Sequence, residues 1–363
     1  MSTLVIAAGG GGDAITGSAL ARPLGLTQPP VVMTYSWDRL MIDPVPGPRT
    51  ADDFTGLCEL APHVLEVLPS TEPISPAGSS LPRLAADLPS RVLLLDPAGG
   101  AVQMAAQIRA AASYFQADNL ALIDVGGDVL TDGTDPGLRS PLADQLALAA
   151  CIRTGLPSQV LIAAPGIDGE LSPTAIYTRL DRLGAHQLPD LTSTDLAAVR
   201  PVFDWHPSEA SGLLAAAAAG RRGRVEVRDA ADHVELTETT PALFTVAAKA
   251  VLAITPARQL TNSRSLDDAE AITRKTTGIS EIRYETDKAA NLRNRCAHYP
   301  TSDDVPEVDR HARQAHQHGA DFISIRRLSE LLGAISPNAF AALSALLATS
   351  RPDRYEPSLY RTH

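Results

Sequence analysis

Short apolar runs recur through the first half of the chain, and four of them end in glycine beside a carboxylate, at residues 4–13, 92–100, 120–128 and 160–170. A strand covered on both faces reads as a continuous Val/Ile/Leu run, and ligands of open α/β sheets sit beyond the carboxyl ends of such strands. The pattern predicts strands at 3–8, 31–35, 92–96, 120–125 and 160–164. Helical segments follow at 13–22, 102–115 and 142–154. Strands alternating with helices at this spacing predict βαβ units. The expected fold class is therefore α/β and Rossmann-like, a mainly parallel sheet with helices on both faces. Beyond Pro201 the alternation weakens to a helix opening at Pro207-Ser208-Glu209, a strand pair at 224–228 and 234–237, and a buried helix over 244–254. Charge rises from Pro256 onward, which places a smaller, mainly helical C-terminal portion at 256–363 after a site-bearing α/β domain at 1–255.

Composition narrows the function classes. The 363 residues are 44% hydrophobic and 20% charged, ordinary for a folded soluble protein. A formal net charge of −11 argues against nucleic acid as the partner, because phosphate contacts need a basic face. A small-molecule substrate is expected instead, with a homo-oligomer left open. Lys249, Lys275 and Lys288 are the only lysines, so nearly all positive charge is arginine, as in a bacterium with a GC-rich genome. No lysine suits a P-loop or a pyridoxal Schiff base. Cys58, Cys151 and Cys296 form no CxxC motif and fit a reducing cytoplasm. No apolar stretch approaches the length of a membrane span, so no membrane partner is expected.

The first glycine loop is Gly9-Gly10-Gly11-Gly12-Asp13-Ala14, a G-x-G-x-x-A match after a strand, with Asp38 near the end of the next strand. That is the context of a dinucleotide fingerprint, in which Gly10, Gly11 and Gly12 admit a pyrophosphate and Asp38 holds a ribose. Asp13 opposes it, because a carboxylate repels bare phosphate, and the bland reading is a tight strand-to-helix turn. NAD is accordingly the second choice of cofactor. Trp37 in the following polar stretch is placed to stack on a base or sugar, or to pack in the core with its indole N–H satisfied. The proline-rich run 44–48 must be an ordered loop or a lid.

The most site-like segment runs from Asp124, Gly126, Gly127 and Asp128 through Arg139, Ser140 and Asp144. Asp124 stands at a strand end facing the crevice, and Arg139 is suited to a carboxylate or phosphate. Ser140 either binds substrate or caps the next helix, while Asp132 and Asp135 read as turn residues. Asp168 and Glu170 follow the next strand two residues apart, a spacing that lets a pair share a hard cation or divide acid and base roles. Asp128 and Asp168 are the candidate ligands for Mg²⁺ or Ca²⁺, since these ions prefer oxygen donors. His206 and Glu209 are acid–base candidates at a helix start. His311, His316 and His318 do not share one helical face and read as a solvated surface. Cys296-Ala297-His298 is adjacent in sequence rather than arranged as a nucleophile and base.

These motifs, with Trp37-Asp38-Arg39, Asp43 and the prolines after it, Asp168-Gly169-Glu170, Ser208-Glu209-Ala210-Ser211 and Arg221-Arg222-Gly223, together resemble an uncharacterised prokaryotic family known as domain of unknown function 1152. The resemblance spans most of the chain and implies a coherent fold; it transfers no catalytic residue. The expected function is that of a cytoplasmic hydrolase or group transferase acting on a nucleotide-like or phosphorylated, hydroxyl-rich molecule. Asp124, Asp128, Arg139, Glu170 and Glu209 form its expected catalytic set. Gly10, Gly11, Gly12, Asp13, Trp37, Asp38, Gly126, Gly127 and Ser140 form its binding set. An NAD-dependent oxidoreductase and a non-enzymatic ligand sensor are the rival readings.

Overall fold

The computed structural model describes residues 2–227, 232–293 and 298–363. Five strands form the centre of a nine-stranded mixed sheet: β1 (Thr3–Ala7), β2 (Val31–Thr34), β3 (Val92–Leu94), β4 (Asn119–Val125) and β5 (Ser158–Ala163). They lie in the order β3-β2-β1-β4-β5 and all pair in parallel. The hairpin Cys58–Ala61 and Val64–Glu66 extends the β3 edge, and Leu243–Ala247 and His186–Leu188 extend the β5 edge. Every one of these added pairings is antiparallel. The sheet is therefore parallel in its centre and antiparallel at both margins.

Both faces are covered, which is why the central strands are apolar at successive positions. Along β1, Leu4 and Ile6 join one core with Leu120 and Leu122 of β4 and with Met104, Ile108 and Leu146 from the helices Gly100–Tyr114 and Pro141–Arg153. Val5 and Ala7 point the other way, into a second core with Ala14, Ile15, Leu81, Leu84 and Leu213. We label the helices that reach the site α1 (Gly11–Gly17), α2 (Pro141–Arg153), α3 (Glu209–Ala218), α4 (Glu281–Arg293) and α5 (Ile325–Leu332). Because α1 and Gly100–Tyr114 lie on opposite faces, the chain changes direction across the sheet at the β1/β4 pair. A crevice opens there, beyond the carboxyl ends of the two strands.

The 255/256 line falls between elements that pack together. Ala257, Leu260 and Ala269 belong to the first core, and a five-stranded second sheet pairs Gly223–Val227 in parallel with Phe322–Ser324. Gly223–Val227 also pairs antiparallel with Asp232–Leu236, the strand pair expected there, though residues 228–231 between them lie outside the described set. The buried helix expected over 244–254 needs correction: Leu243–Ala247 is a strand against β5, and the helix begins at Ala248. A short apolar run satisfies either period, and here the open backbone edge of β5 decides for the strand. No single helix among the described residues is long and apolar enough to cross a membrane.

Candidate functional site

The crevice at the β1/β4 switch gathers carboxylates from widely separated segments. Asp13, in the first turn of α1, accepts hydrogen bonds from the Gly9 N–H at 2.8 Å and the Val125 N–H at 3.4 Å, tying the loop after β1 to the end of β4. Asp124 closes β4 and accepts from Gly127 N–H at 3.1 Å and Val129 N–H at 2.9 Å. Asp144 enters from the first turn of α2 and accepts no hydrogen bond among the described residues, although it is only 4% exposed. One oxygen from each of Asp13, Asp124 and Asp144 lies within 4.8 Å of the other two.

At an effective dielectric constant of about 20, two carboxylates at that separation repel by roughly 3–4 kcal/mol. Three such pairs together approach the whole stability of a typical domain, about 5–15 kcal/mol. The triad must therefore hold protons or a cation. Burial, reinforced by the neighbouring acids, pushes Asp13 and Asp144 well above the usual carboxylate range, and burial raises Asp124 to about 6.

Around the triad is a cavity of about 100 Å³ lined by ten carboxylate residues and two arginines, Arg39 and Arg326, among glycine, serine and apolar neighbours. Asp128, 7% exposed and with a carboxylate that accepts no hydrogen bond among the described residues, is raised by burial and then by Asp144. Asp168 accepts the Glu170 N–H at 3.1 Å and packs against Gly126, whose φ is +134°. A Cβ at position 126 would stand 2.4 Å from the Asp168 carboxyl, so glycine is required there by conformation and by space. Glu281 caps α2 through the Leu142 N–H at 2.9 Å, and burial raises it to about 8. Glu285 accepts the indole N–H of Trp37, at 3.0 Å to one oxygen, and the Gly47 N–H at 2.8 Å.

A second cavity of about 420 Å³ opens outward from the first, sharing Arg39, Ser140, Glu170, Glu281, Glu285 and Arg326 with it. Its wall carries five cations, Arg39, Arg139, Lys288, Arg326 and Arg327. Arg39 is exposed and its guanidinium forms no hydrogen bond or ion pair with the described residues, whereas Arg326 is held by Glu330 at 3.3 Å and Arg327 by Glu226 at 3.1 Å. Four acids, Glu170, Glu281, Glu285 and Glu330, stand on the same wall, so the lining shifts from strongly acidic in the inner cavity to nearly balanced in the outer one. Such an arrangement suits a cation inside and an anionic group at the neck.

The expected site residues do not share one role. Asp13, Asp124, Asp128, Asp168, Glu170 and Glu209 all line the inner cavity. Glu170, however, is engaged by the Arg139 N–H, the Ser140 N–H and the Ser140 hydroxyl, the last at 2.6 Å, and Glu209 accepts the Ser324 hydroxyl. Ser140 stands at the N-cap of α2 without capping it, its hydroxyl going to Glu170. Trp37 is 6% exposed and packs edge-on against Tyr35, so it positions Glu285 from the cavity wall. Asp38 is taken up by the Ser80 N–H and hydroxyl, at 2.8 and 2.6 Å. In the glycine loop, a Cβ on Gly12 would lie 2.7 Å from the Ser208 hydroxyl. Gly12 therefore serves close packing with the segment before α3, and the Gly9 amide is occupied by Asp13. Gly10 turns the loop with φ +99°, and Gly127 starts the turn after β4 with φ +102°.

His206 lines the same inner cavity. Its Nδ1 accepts the Ser208 N–H at 3.2 Å, which places the proton on Nε2, and Nε2 is buried without a partner among the described residues. Burial, with Arg326 and Arg83 nearby, pushes its pKa down to about 3. It is therefore a neutral donor, unsuited to proton exchange near neutrality.

Elsewhere, Asp132 and Asp135 are bound by Arg179 of the helix Pro173–Arg182 at 3.2 and 2.8 Å, and Asp96 accepts the Ala51 and Ala98 N–H groups, so these acids join neighbouring segments of the fold. The loop 44–48 is ordered by Arg49, whose guanidinium donates to the carbonyls of Val45, Pro46 and Gly47 and pairs with Asp43 at 2.9 Å. Cys296 and Ala297 lie outside the described residues. Sequence reasoning missed Glu281, Glu285, Arg326 and Arg327. The spacing 281, 285 and 288 on one helix is the available signal, within the charge-rich stretch that marks the C-terminal helical portion.

Fold and site together define an α/β protein with an acid-lined chamber at the carboxyl edge of its sheet. The chain belongs to the family described as protein of unknown function (DUF1152), which matches residues 4–289. That span contains every carboxylate of the inner cavity, while Asn291, Arg326 and Arg327 of the outer cavity lie beyond it. No curated protein and no solved structure matches the chain.

Proposed function

We propose that this Rossmann-like protein is a cytoplasmic, divalent-cation-dependent enzyme that hydrolyses or transfers a group of a phosphorylated, hydroxyl-rich small molecule. The observation that carries the reading is the Asp13–Asp124–Asp144 triad, three buried acids within 4.8 Å of one another, one of them lacking any hydrogen bond among the described residues. All donors are oxygen, which favours Mg²⁺ over zinc or copper. Asp168, adjoining the triad, would complete the cation's surroundings. The cation would neutralise phosphate charge and polarise its oxygens. The chain's own groups do the rest. Arg39 and Arg326, shared by the two cavities, grip the anionic group at the neck, and Arg139 approaches from the outer wall. His206 donates from Nε2 to a ligand oxygen in the inner cavity. Asp128, its carboxylate without a hydrogen bond among the described residues and raised by burial, is the group placed to hold or release a proton, whereas Glu170 is engaged by loop donors. Two free thiols, Cys58 and Cys151, fit a reducing compartment.

Calorimetric titration with Mg²⁺ or Mn²⁺, followed by a phosphate-release screen over sugar phosphates and nucleotides, tests this reading. Saturable cation binding and cation-dependent release support it. Absence of cation binding at about pH 8, where protons compete less with a cation for the raised carboxyls than they do near neutrality, would refute it, and binding without turnover would favour a sensor.

A further inference from the structure

The inner cavity, at about 100 Å³, accommodates a cation, its waters and a phosphate-sized group, so the body of any ligand must lie in the outer cavity of about 420 Å³. That outer wall is apolar in part. Alongside the charged groups it carries Leu40, Met41, Tyr284, Leu331 and Ile335, brought from the loop after β2, from α4, and from α5 and the turn behind it. Tyr284 is 45% exposed, and its ring stacks on no aromatic or cationic group among the described residues. A sugar phosphate would satisfy the cations and leave this apolar part bare.

The helix α4 orders these features in sequence. Glu281, Tyr284, Lys288 and Asn291 are spaced three, four and three residues apart, and Glu285 is four beyond Glu281, so the five share one face and all line the outer cavity. Glu281 and Glu285 also reach the inner cavity, so the face runs from the acids past the aromatic ring to an amide about 15 Å along the axis. Asn291 offers both a donor and an acceptor, the pair that a heterocyclic edge requires. Phosphate at the neck, a ribose beyond it and a planar base against Tyr284 follow the same direction.

Building on the proposed function, we propose that the outer cavity is a base subsite and that the ligand is a nucleoside phosphate, its base packed on Tyr284 and the Leu40–Met41–Leu331–Ile335 wall. Stacking on an exposed aromatic ring is worth about tenfold or more in affinity.

The test is calorimetry in the presence of Mg²⁺, comparing the four common ribonucleoside 5′-monophosphates with ribose 5-phosphate on the full chain. At least one nucleotide is expected to bind about tenfold more tightly than ribose 5-phosphate. Tyr284→Ala should bring that nucleotide down to the ribose 5-phosphate level while leaving ribose 5-phosphate itself unchanged, and Tyr284→Phe should restore the difference. Equal binding of all five compounds, or a nucleotide preference indifferent to Tyr284→Ala, would overturn the base subsite and leave the phosphate reading standing. If none of the five binds, both readings fall.

Discussion

Asp13, in the first turn of α1 after β1, and Asp124, at the end of β4, bring carboxylate oxygens within 4.8 Å of each other across the point where the strand order reverses. Two backbone loops, rather than any cation from the protein, hold them there, through the amides of Gly9 and Val125 on one and of Gly127 and Val129 on the other. Asp144 joins them without a hydrogen bond of its own among the described residues. Stability is thereby set against function at a single place.

Asp144→Asn removes one buried ionisable group while keeping shape and breaking no described side-chain hydrogen bond. The metal-free variant should melt a few degrees higher than wild type at about pH 8, because a carboxyl raised by burial loses stability as pH rises above its unfolded pKa and an amide does not. Its affinity for Mn²⁺ should fall by roughly 100-fold or more. Differential scanning calorimetry with and without cation reads both effects. A variant that is destabilised, or that keeps its cation affinity, would show that Asp144 serves the fold alone.

The pH dependence of the metal-free protein follows from the same acids. Asp124 and Asp38 are raised to about 6 and Glu281 to about 8, and Asp13, Asp128 and Asp144 move in the same direction, each chiefly by burial. A carboxyl raised in the folded state contributes stability that is complete below its unfolded pKa, about 4, and is lost as pH rises through the folded value. Melting temperature should therefore decline between about pH 5 and pH 8, and saturating Mg²⁺ should reverse the decline. A metal-free protein more stable at pH 8 than at pH 5 would contradict the buried-acid account.

The parallel centre of the sheet and its acid-tipped loops are legible in the sequence because each arises locally. A strand covered on both faces must be apolar throughout, and its terminal loop carries its own Asp or Glu. Asp144 was harder to place, since an acid in the first turn of a helix is already explained by the helix dipole. Glu281, Glu285 and Arg326 reach the cavity only because α4 and α5 close over the crevice, a tertiary fact with no local signature. Trp37 and Asp38 illustrate the converse. Their residue types suit a base and a ribose, yet Glu285 and Ser80 engage their polar groups. The strand Leu243–Ala247 escaped recognition because its apolar run fits a helix equally well until the open edge of β5 is known.

His206 should remain neutral, with its proton on Nε2, down to about pH 4, given a pKa near 3 and an Nδ1 that accepts from Ser208. Nitrogen-15 NMR of labelled histidine distinguishes the tautomers directly. Titration of His206 between pH 5 and pH 7 would remove it as a fixed donor to a ligand.

Arg39→Ala should leave melting temperature almost unchanged, since Arg39 is exposed and makes no described ion pair. Affinity for inorganic phosphate in the presence of Mg²⁺ should drop about 10- to 100-fold, the worth of a charge-assisted hydrogen bond. Unchanged phosphate affinity would move the anion away from the neck between the cavities.

The most direct measurement is anomalous diffraction from crystals of the full chain grown with Mn²⁺ at about pH 8. The expected result is a peak within bonding distance of Asp13, Asp124 and Asp144, lost in Asp144→Asn crystals. Clear density for the three carboxylates with no peak between them would contradict the account, as would Mn²⁺ bound only elsewhere.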